Sequence, residues 1–222
     1  MRKIALTRYS VFLVLLFTFS ACSAKESAKR NPSKELNAET LAKLDTAYFA
    51  SGCFWCTEAV FERVEGVEDV VSGYSGGSSK NPTYKQVSAG LTDHAEAVRV
   101  LYDPDVVSYK DLVYIFFGSH DPTQLNRQGP DVGKQYRSAI FYTTSSEQST
   151  AKAVMEELDS SGKYKKPIVT EITEFSAFYE AEDYHQDYYD AHPNQPYIVS
   201  VSKPKVEKFM KEFKDKLKAE YK

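Results

Sequence analysis

Between residues 47 and 143 the apolar and amphipathic runs follow the order strand, helix, strand, strand, helix, strand, which predicts an α+β fold. The strand runs are short and rich in Val, Tyr and Phe, as half-buried pleated surfaces require. The helical runs open on hydroxyl or acidic residues able to cap free backbone N–H groups. Together these give the split βαβ unit of ferredoxin-like folds: a mixed sheet with helices packed on it, followed by an extended C-terminal segment and a helix. The architecture hosts many chemistries and assigns none by itself.

Taken in order, residues 47–52 read as a buried strand and 57–63 as a short helix. Residues 67–74 form the next strand, 76–82 a loop of Gly, Ser, Asn and Pro, and 83–88 a helical turn. Residues 95–102 alternate as a strand that stops at Asp103-Pro104. Ser108 with Asp111 opens a helix whose apolar face is Leu112, Ile115 and Phe116. Residues 121–133 contain two prolines and two glycines, so a surface loop is expected. A strand follows over 138–143. Ser145 with Gln148 makes a capping box for a helix to residue 160, which Gly162 stops. Residues 168–175 suggest another strand, and the Tyr-, Glu- and His-rich run 178–191 a helix ending before Pro193. Finally Val206, Phe209, Met210, Phe213 and Leu217 trace one face of an amphipathic helix after Pro204.

The 222 residues, with 16 Tyr and 13 Phe, suffice for one domain with a sizeable core plus terminal extensions. Residues 1–21 have the form of an export signal: Arg2, Lys3 and Arg8, an apolar run from Val11 to Phe19, then Ser20-Ala21. With Cys22 they resemble a lipobox, making Cys22 the expected lipid attachment point. Residues 22–44 are expected to form a polar tether, 45–203 the folded domain, and 204–222 the C-terminal helix packing on it. The reading is an exported bacterial lipoprotein on the extracytoplasmic face of a membrane, expected to be a monomer. Removing residues 1–21 leaves 25 basic against 31 acidic residues, a net charge of −6, which argues against nucleic acid as a partner. With Cys22 consumed by the lipid, only Cys53 and Cys56 remain as thiols, so no disulfide scaffold is expected.

Those two thiols flank the chain's one tryptophan in Cys53-Phe54-Trp55-Cys56, where an apolar strand gives way to a helix. Unpaired N–H groups and the helix dipole at such a start favour thiolate. Positions i and i+3 of a helical turn are about 5–6 Å apart, within disulfide reach. Redox chemistry, a local staple and half of a zinc site all suit the pair alone, although a staple closing so small a loop would stabilise little. Glu96 puts a charge into an otherwise apolar strand. It fits either an edge-strand ion pair with Arg99 or a lysine, or a buried, protonated acid. Tyr84 and Tyr136 stand beside polar loops and fit either core packing or a site.

The ordered runs Gly52-Cys53-Phe54-Trp55-Cys56, Gly73-Tyr74-Ser75-Gly76-Gly77, Asn81-Pro82-Thr83-Tyr84, His94-Ala95-Glu96-Ala97-Val98, His120-Asp121-Pro122, Arg127-Gln128-Gly129, Gln135-Tyr136-Arg137-Ser138 and Ala181-Glu182-Asp183-Tyr184-His185-Gln186 are similar to the A-type peptide methionine sulfoxide reductases over residues 48–196. The resemblance implies thiol-dependent reduction of the S epimer of methionine sulfoxide, free or in proteins. It makes Cys53 the nucleophile, Glu96 the acid, Tyr84 and Tyr136 the donors to the sulfoxide oxygen, and Phe54 and Trp55 the wall for the methyl group. Asp131 and His185 fall in matching motifs on the substrate side. Cys56 is then the resolving thiol. No cofactor and no metal are implied, and electrons come from an external thioredoxin-like dithiol, here one of the envelope. Three departures stand out: no cysteine follows Cys56, Asp93 brings a charge beside Glu96, and a leader precedes the domain. If the two carboxylates meet in space, Asp93 raises the pKa of Glu96. The rival readings are a general thiol–disulfide oxidoreductase and, outside enzymes, a metal-binding lipoprotein using Cys53, Cys56 and histidines.

Overall fold

Apolar residues on both faces of one central strand set the layout. In β1 (Asp45–Ser51), Ala47 and Phe49 join the main core while Tyr48 and Ala50 join a smaller cluster on the other side of the sheet. The computed structural model describes residues 38–222, so the expected signal peptide, Cys22 and residues 23–37 of the tether lie outside the described residues. A short helix α1 (Ala38–Leu41) precedes β1. After β1 come α2 (Phe54–Glu62), β2 (Val67–Ser75), α3 (Tyr84–Ser88), β3 (Ala95–Tyr102) and α4 (Tyr109–Ser119). The two-residue strands β4 (Arg127–Gln128) and β5 (Asp131–Val132) pair within the following loop. Then follow β6 (Ser138–Tyr142), α5 (Ser145–Ser160), β7 (Glu171–Glu174), β8 (Phe178–Glu180), α6 (Tyr188–Ala191) and α7 (Lys203–Glu212).

The main sheet has the order β7-β6-β1-β3-β2-β8, antiparallel except for the parallel pair β6–β7. Its inner four strands are the expected split βαβ arrangement, with α2 joining β1 to β2 and α4 lying between β3 and β6. Residues from α2, α4, α5 and α7 close the main core over one face. Along β3, Val98, Val100 and Tyr102 belong to that core, and Glu96 shares their parity, so it projects under the helices. Ala95 and Ala97 point the other way, where small side chains let Phe141, Phe175 and Phe178 cover the sheet closely. Among the described residues no helix is long and apolar enough to cross a membrane.

Four expectations shift. The helix expected over 178–191 is instead the edge strand β8, a 3-10 turn at Asp183–His185 and the four-residue α6. Edge pairing with β2 wins because Gln186 lets the segment continue as a mimic of a strand: its amide accepts from Ser72 N–H (2.9 Å) and donates to Ser72 carbonyl (3.0 Å). The N-cap lies one residue earlier than read and is not closed into a capping box: Thr144 accepts from Glu147 N–H, while Glu147 accepts from Thr143 N–H, one residue before the cap. The C-terminal helix stops at Glu212, and Leu217 is buried by pairing as an isolated bridge with Val64, flanked by Glu65 N–H to Lys216 carbonyl and Lys218 N–H to Arg63 carbonyl. The strand read over 168–175 shortens to β7.

Candidate active site

The turn from β1 into α2 depends on Gly52. Its φ of +92° is a left-handed conformation, and a Cβ there would stand 2.6 Å from Gln128 Cβ. The sharp turn places Cys53 at the N-cap of α2, with no side chain capping that helix. The Phe54 N–H, one of the helix's orphan donors, is used by Glu96 from β3, whose Oε2 accepts at 3.1 Å. A sheet residue and a helix start thus meet over a cavity of about 260 Å³ lined by Cys53, Phe54, Trp55, Tyr84, Glu96, Asp131, Tyr136, Gln195 and Tyr197.

Each wall has its own support. Glu182 accepts from Tyr84 N–H and from Tyr74 O–H, both at 2.9 Å, fixing the start of α3 against β2. Thr83 and Gln86 close a capping box there. Tyr136 ends a 3-10 turn before β6, and its neighbour Gln135 donates to Ser88 carbonyl at 3.0 Å, tying the two tyrosine-bearing segments together. Among the described residues neither phenol of Tyr84 or Tyr136 hydrogen-bonds another protein group, so both can donate into the cavity. Trp55 is held by Tyr188, stacked 3.9 Å behind it, and by His185, whose Nδ1 accepts from the indole N–H at 3.2 Å. Asp131 accepts from Tyr197 O–H at 2.5 Å.

His185 therefore stands behind the wall, buried against Tyr84 and Trp55, and does not line the cavity as a substrate-side residue would. Burial pushes its pKa down to about 4, so it is neutral and its Nδ1 is free to accept. Of the other residues read from the sequence, Cys53, Phe54, Trp55, Tyr84, Glu96, Asp131 and Tyr136 converge on the one cavity, while Cys56 lies outside its lining with its Sγ against Ser202. Gln195 and Tyr197 were not read as site residues. They reach the cavity from a segment whose local pattern carries no periodic signal, only the turn-forming His192-Pro193-Asn194.

Burial pushes the Glu96 carboxyl up to about 8; the Phe54 N–H opposes the shift, while Asp131 and Cys56 add to it. Glu96 is thus mostly protonated at neutral pH. The carboxylate acting on it is Asp131 and not Asp93, because Asp93 precedes β3 and lies outside the cavity lining. The thiols depart from expectation. Both are free and buried. Burial raises Cys53 well above the usual thiol range, with contributions from Cys56 and Glu96 that outweigh the helix-start N–H of Trp55. Cys56 is drawn down to about 6, first by its hydrogen bond with Cys53, then against burial by Lys205 and Ser202. The pair titrates as a unit, and the direction that stands is that negative charge settles on the Cys56 side, beside its hydroxyl and ammonium. Resting Cys53 is a neutral thiol.

A wider open groove of about 1230 Å³ lies beyond Gln128, walled by the 121–130 loop and Lys163, Lys165, Lys166, Lys205 and Lys208. It holds neither thiol nor tyrosine pair, so the smaller cavity is the candidate site. Among the described residues the one group able to hold a metal ion is Glu58, Glu62 and Asp187, which contains no cysteine and no histidine. Burial raises the Glu58 carboxyl well above its usual range, and Glu62 to about 8.

A family model described as peptide methionine sulfoxide reductase matches residues 45–217. A peptide methionine sulfoxide reductase of Deinococcus radiodurans is 52% identical over 177 residues, spanning 80% of this chain and 86% of the relative. One from Rhodopirellula baltica is 52% identical over 186 residues, spanning 84% and 96%. Among solved structures, the reduced form of Mxr1 from Saccharomyces cerevisiae superposes with a TM-score of 0.64 at 36% identity, covering 69% of this chain and 88% of that one. The methionine sulfoxide reductase A of Corynebacterium diphtheriae gives 0.62 at 35% identity, covering 69% and 77%.

Proposed function

This chain belongs to the peptide methionine sulfoxide reductase family and is a peptide-methionine (S)-S-oxide reductase; from that premise we propose that it works by a Cys53 sulfenic acid and a Cys53–Cys56 disulfide, on oxidised proteins outside the cytoplasm. One observation carries the mechanism: the nucleophile, a protonated acid, two free phenol donors and an aromatic wall line a single 260 Å³ cavity.

A sulfoxide is neutral, and the resting site is neutral at both reacting groups, so binding desolvates no charge on Cys53 or Glu96. The substrate methyl group lies on Phe54 and Trp55, and its oxygen accepts from Tyr84 and Tyr136 O–H and from the Glu96 carboxyl. Cys53 Sγ forms a bond to the substrate sulfur as Glu96 passes its proton to the oxygen, and the thiol proton returns to the carboxylate. The S–O bond then breaks with transfer of oxygen to Cys53, giving a sulfenic acid and methionine. Cys56 attacks Cys53 Sγ, water leaves and the disulfide closes. A thioredoxin-like dithiol of the envelope supplies two electrons, so no prosthetic cofactor is needed. The test is dithiothreitol-driven turnover of the two epimers separately, beside a disulfide substrate. Turnover of the S epimer alone is expected; equal reduction of the R epimer, or faster reduction of disulfides, would sink the reading in favour of a general thiol–disulfide oxidoreductase.

The extracytoplasmic placement rests on Arg2, Lys3, Arg8, the 11–19 apolar run and Ser20-Ala21-Cys22. Cells expressing the full chain are expected to incorporate labelled palmitate into it, and Cys22→Ala to abolish the label and release the enzyme from membranes. Membrane-bound, palmitate-labelled Cys22→Ala would exclude the anchor.

A further inference from the structure

The disulfide of the proposed cycle must be reopened by thiolate attack, which runs along the S–S axis from behind the sulfur attacked. The two sulfurs differ in what lies behind them. Cys53 lines the cavity and so has open space beside it. Cys56 does not line it and is 2% exposed. Its Sγ sits 3.1 Å from Ser202 Oγ, itself completely buried, so the approach to Cys56 is filled by protein. Ser202 ends a π-helical turn, Ile198–Ser202, that feeds α7, and Lys205 in the first turn of α7 reaches within 3.9 Å of the Cβ position at Gly52. When protonated, the Cys56 thiol donates to Ser202. Once Cys56 is a thiolate the hydroxyl turns to donate, and the Lys205 ammonium adds favourable charge.

We propose that the reductant's thiol enters through the substrate cavity and attacks Cys53 Sγ, expelling Cys56 as a thiolate held by Ser202 and Lys205. This rests on the Cys53–Cys56 disulfide of the proposed function. The balance is simple: the reductant's first thiolate forms a mixed disulfide with Cys53, the Cys53–Cys56 bond breaks, and its electron pair stays on Cys56. The reductant's second thiol then attacks its own sulfur of the mixed disulfide and leaves oxidised, returning Cys53 to the thiol with one proton. The leaving group is the better stabilised of the two sulfurs, which favours this direction of cleavage. Sulfoxide and reductant would thus use one opening in turn. A 260 Å³ cavity admits a side chain, so the reductant must present its thiol on a protruding segment. Ser202 is a positioning residue for recycling, acting through Cys56.

The full chain is first oxidised with methionine S-sulfoxide and its thiols counted. As one methionine appears, the Cys53 and Cys56 thiols should both be lost, with Cys22, the third cysteine of the full chain, counted separately; persistence of either Cys53 or Cys56 as a thiol would overturn the disulfide reading itself, apart from the present inference. The oxidised enzyme is then mixed with a thioredoxin whose second active-site cysteine is serine, quenched in acid, and the mixed disulfide mapped by mass spectrometry. Linkage at Cys53 with Cys56 free is expected. Linkage at Cys56 would overturn the proposal. In Ser202→Ala, the rate of disulfide reduction divided by the single-turnover rate of sulfoxide reduction should fall about 10-fold, the factor one hydrogen bond to a charged atom supplies. Ser202→Thr, which keeps the hydroxyl, should restore most of it. An unchanged ratio in Ser202→Ala would remove Ser202 from recycling.

Discussion

Cys53→Ser is expected to leave no sulfoxide reduction above background, a loss of about 10⁴-fold or more in dithiothreitol-driven turnover. The reaction needs an atom that can bond to the substrate sulfur and then hold its oxygen reversibly. Sulfur does both, whereas a serine hydroxyl in this buried position has no base beside it, since Glu96 rests protonated. Cys56 cannot substitute, because its sulfur faces Ser202 and lies outside the cavity. The serine is nearly isosteric in a site that already tolerates a neutral thiol, so the fold should be kept. Unchanged far-ultraviolet circular dichroism beside absent turnover is the expected pair of results. Substantial turnover by the folded variant would refute Cys53 as the nucleophile.

Glu96→Gln is the second large effect, about 10²–10³-fold on the single-turnover rate with a small change in KM. Glutamine keeps the acceptor for Phe54 N–H and can still donate to the sulfoxide oxygen, but it cannot give up a proton to it. Binding is thereby largely kept while the proton transfer is lost. The pH profile gives an independent readout. The active form is the protonated carboxyl, whose folded pKa stands near 8, so the wild-type rate should hold below that value and fall as pH rises through it. The glutamine variant should lack that descent. A wild-type single-turnover rate that keeps rising between pH 8 and 9.5 would exclude Glu96 as the proton donor.

Much of the molecule was readable from local chemistry. Strand parity placed Glu96 opposite Ala95 and Ala97, and that parity is what aims it under α2. The inner four strands followed from the order of elements, because sequential connections leave few topologies to a split βαβ unit. Misreadings fell where tertiary pairing overrode local propensity. The 178–191 run has helical composition, yet β2 offered an open edge and Gln186 could satisfy Ser72. Leu217 kept its burial while leaving the helix, since Val64 offered a backbone partner.

The sequence by itself determined the groups proposed to react: two thiols one helical turn apart, a carboxyl in an apolar strand, and tyrosines on flanking loops. Only the tertiary structure decided their protonation and their access. Glu96 is neutral because the fold buries it and brings Asp131 near. Cys53 rests as a thiol despite its helix-start position, because desolvation there exceeds what the N–H groups return. Which sulfur faces the cavity and which faces Ser202 likewise depends on α7 folding back over α2. Desolvation and through-space charge depend on what packs nearby, and that is set by residues far apart along the chain.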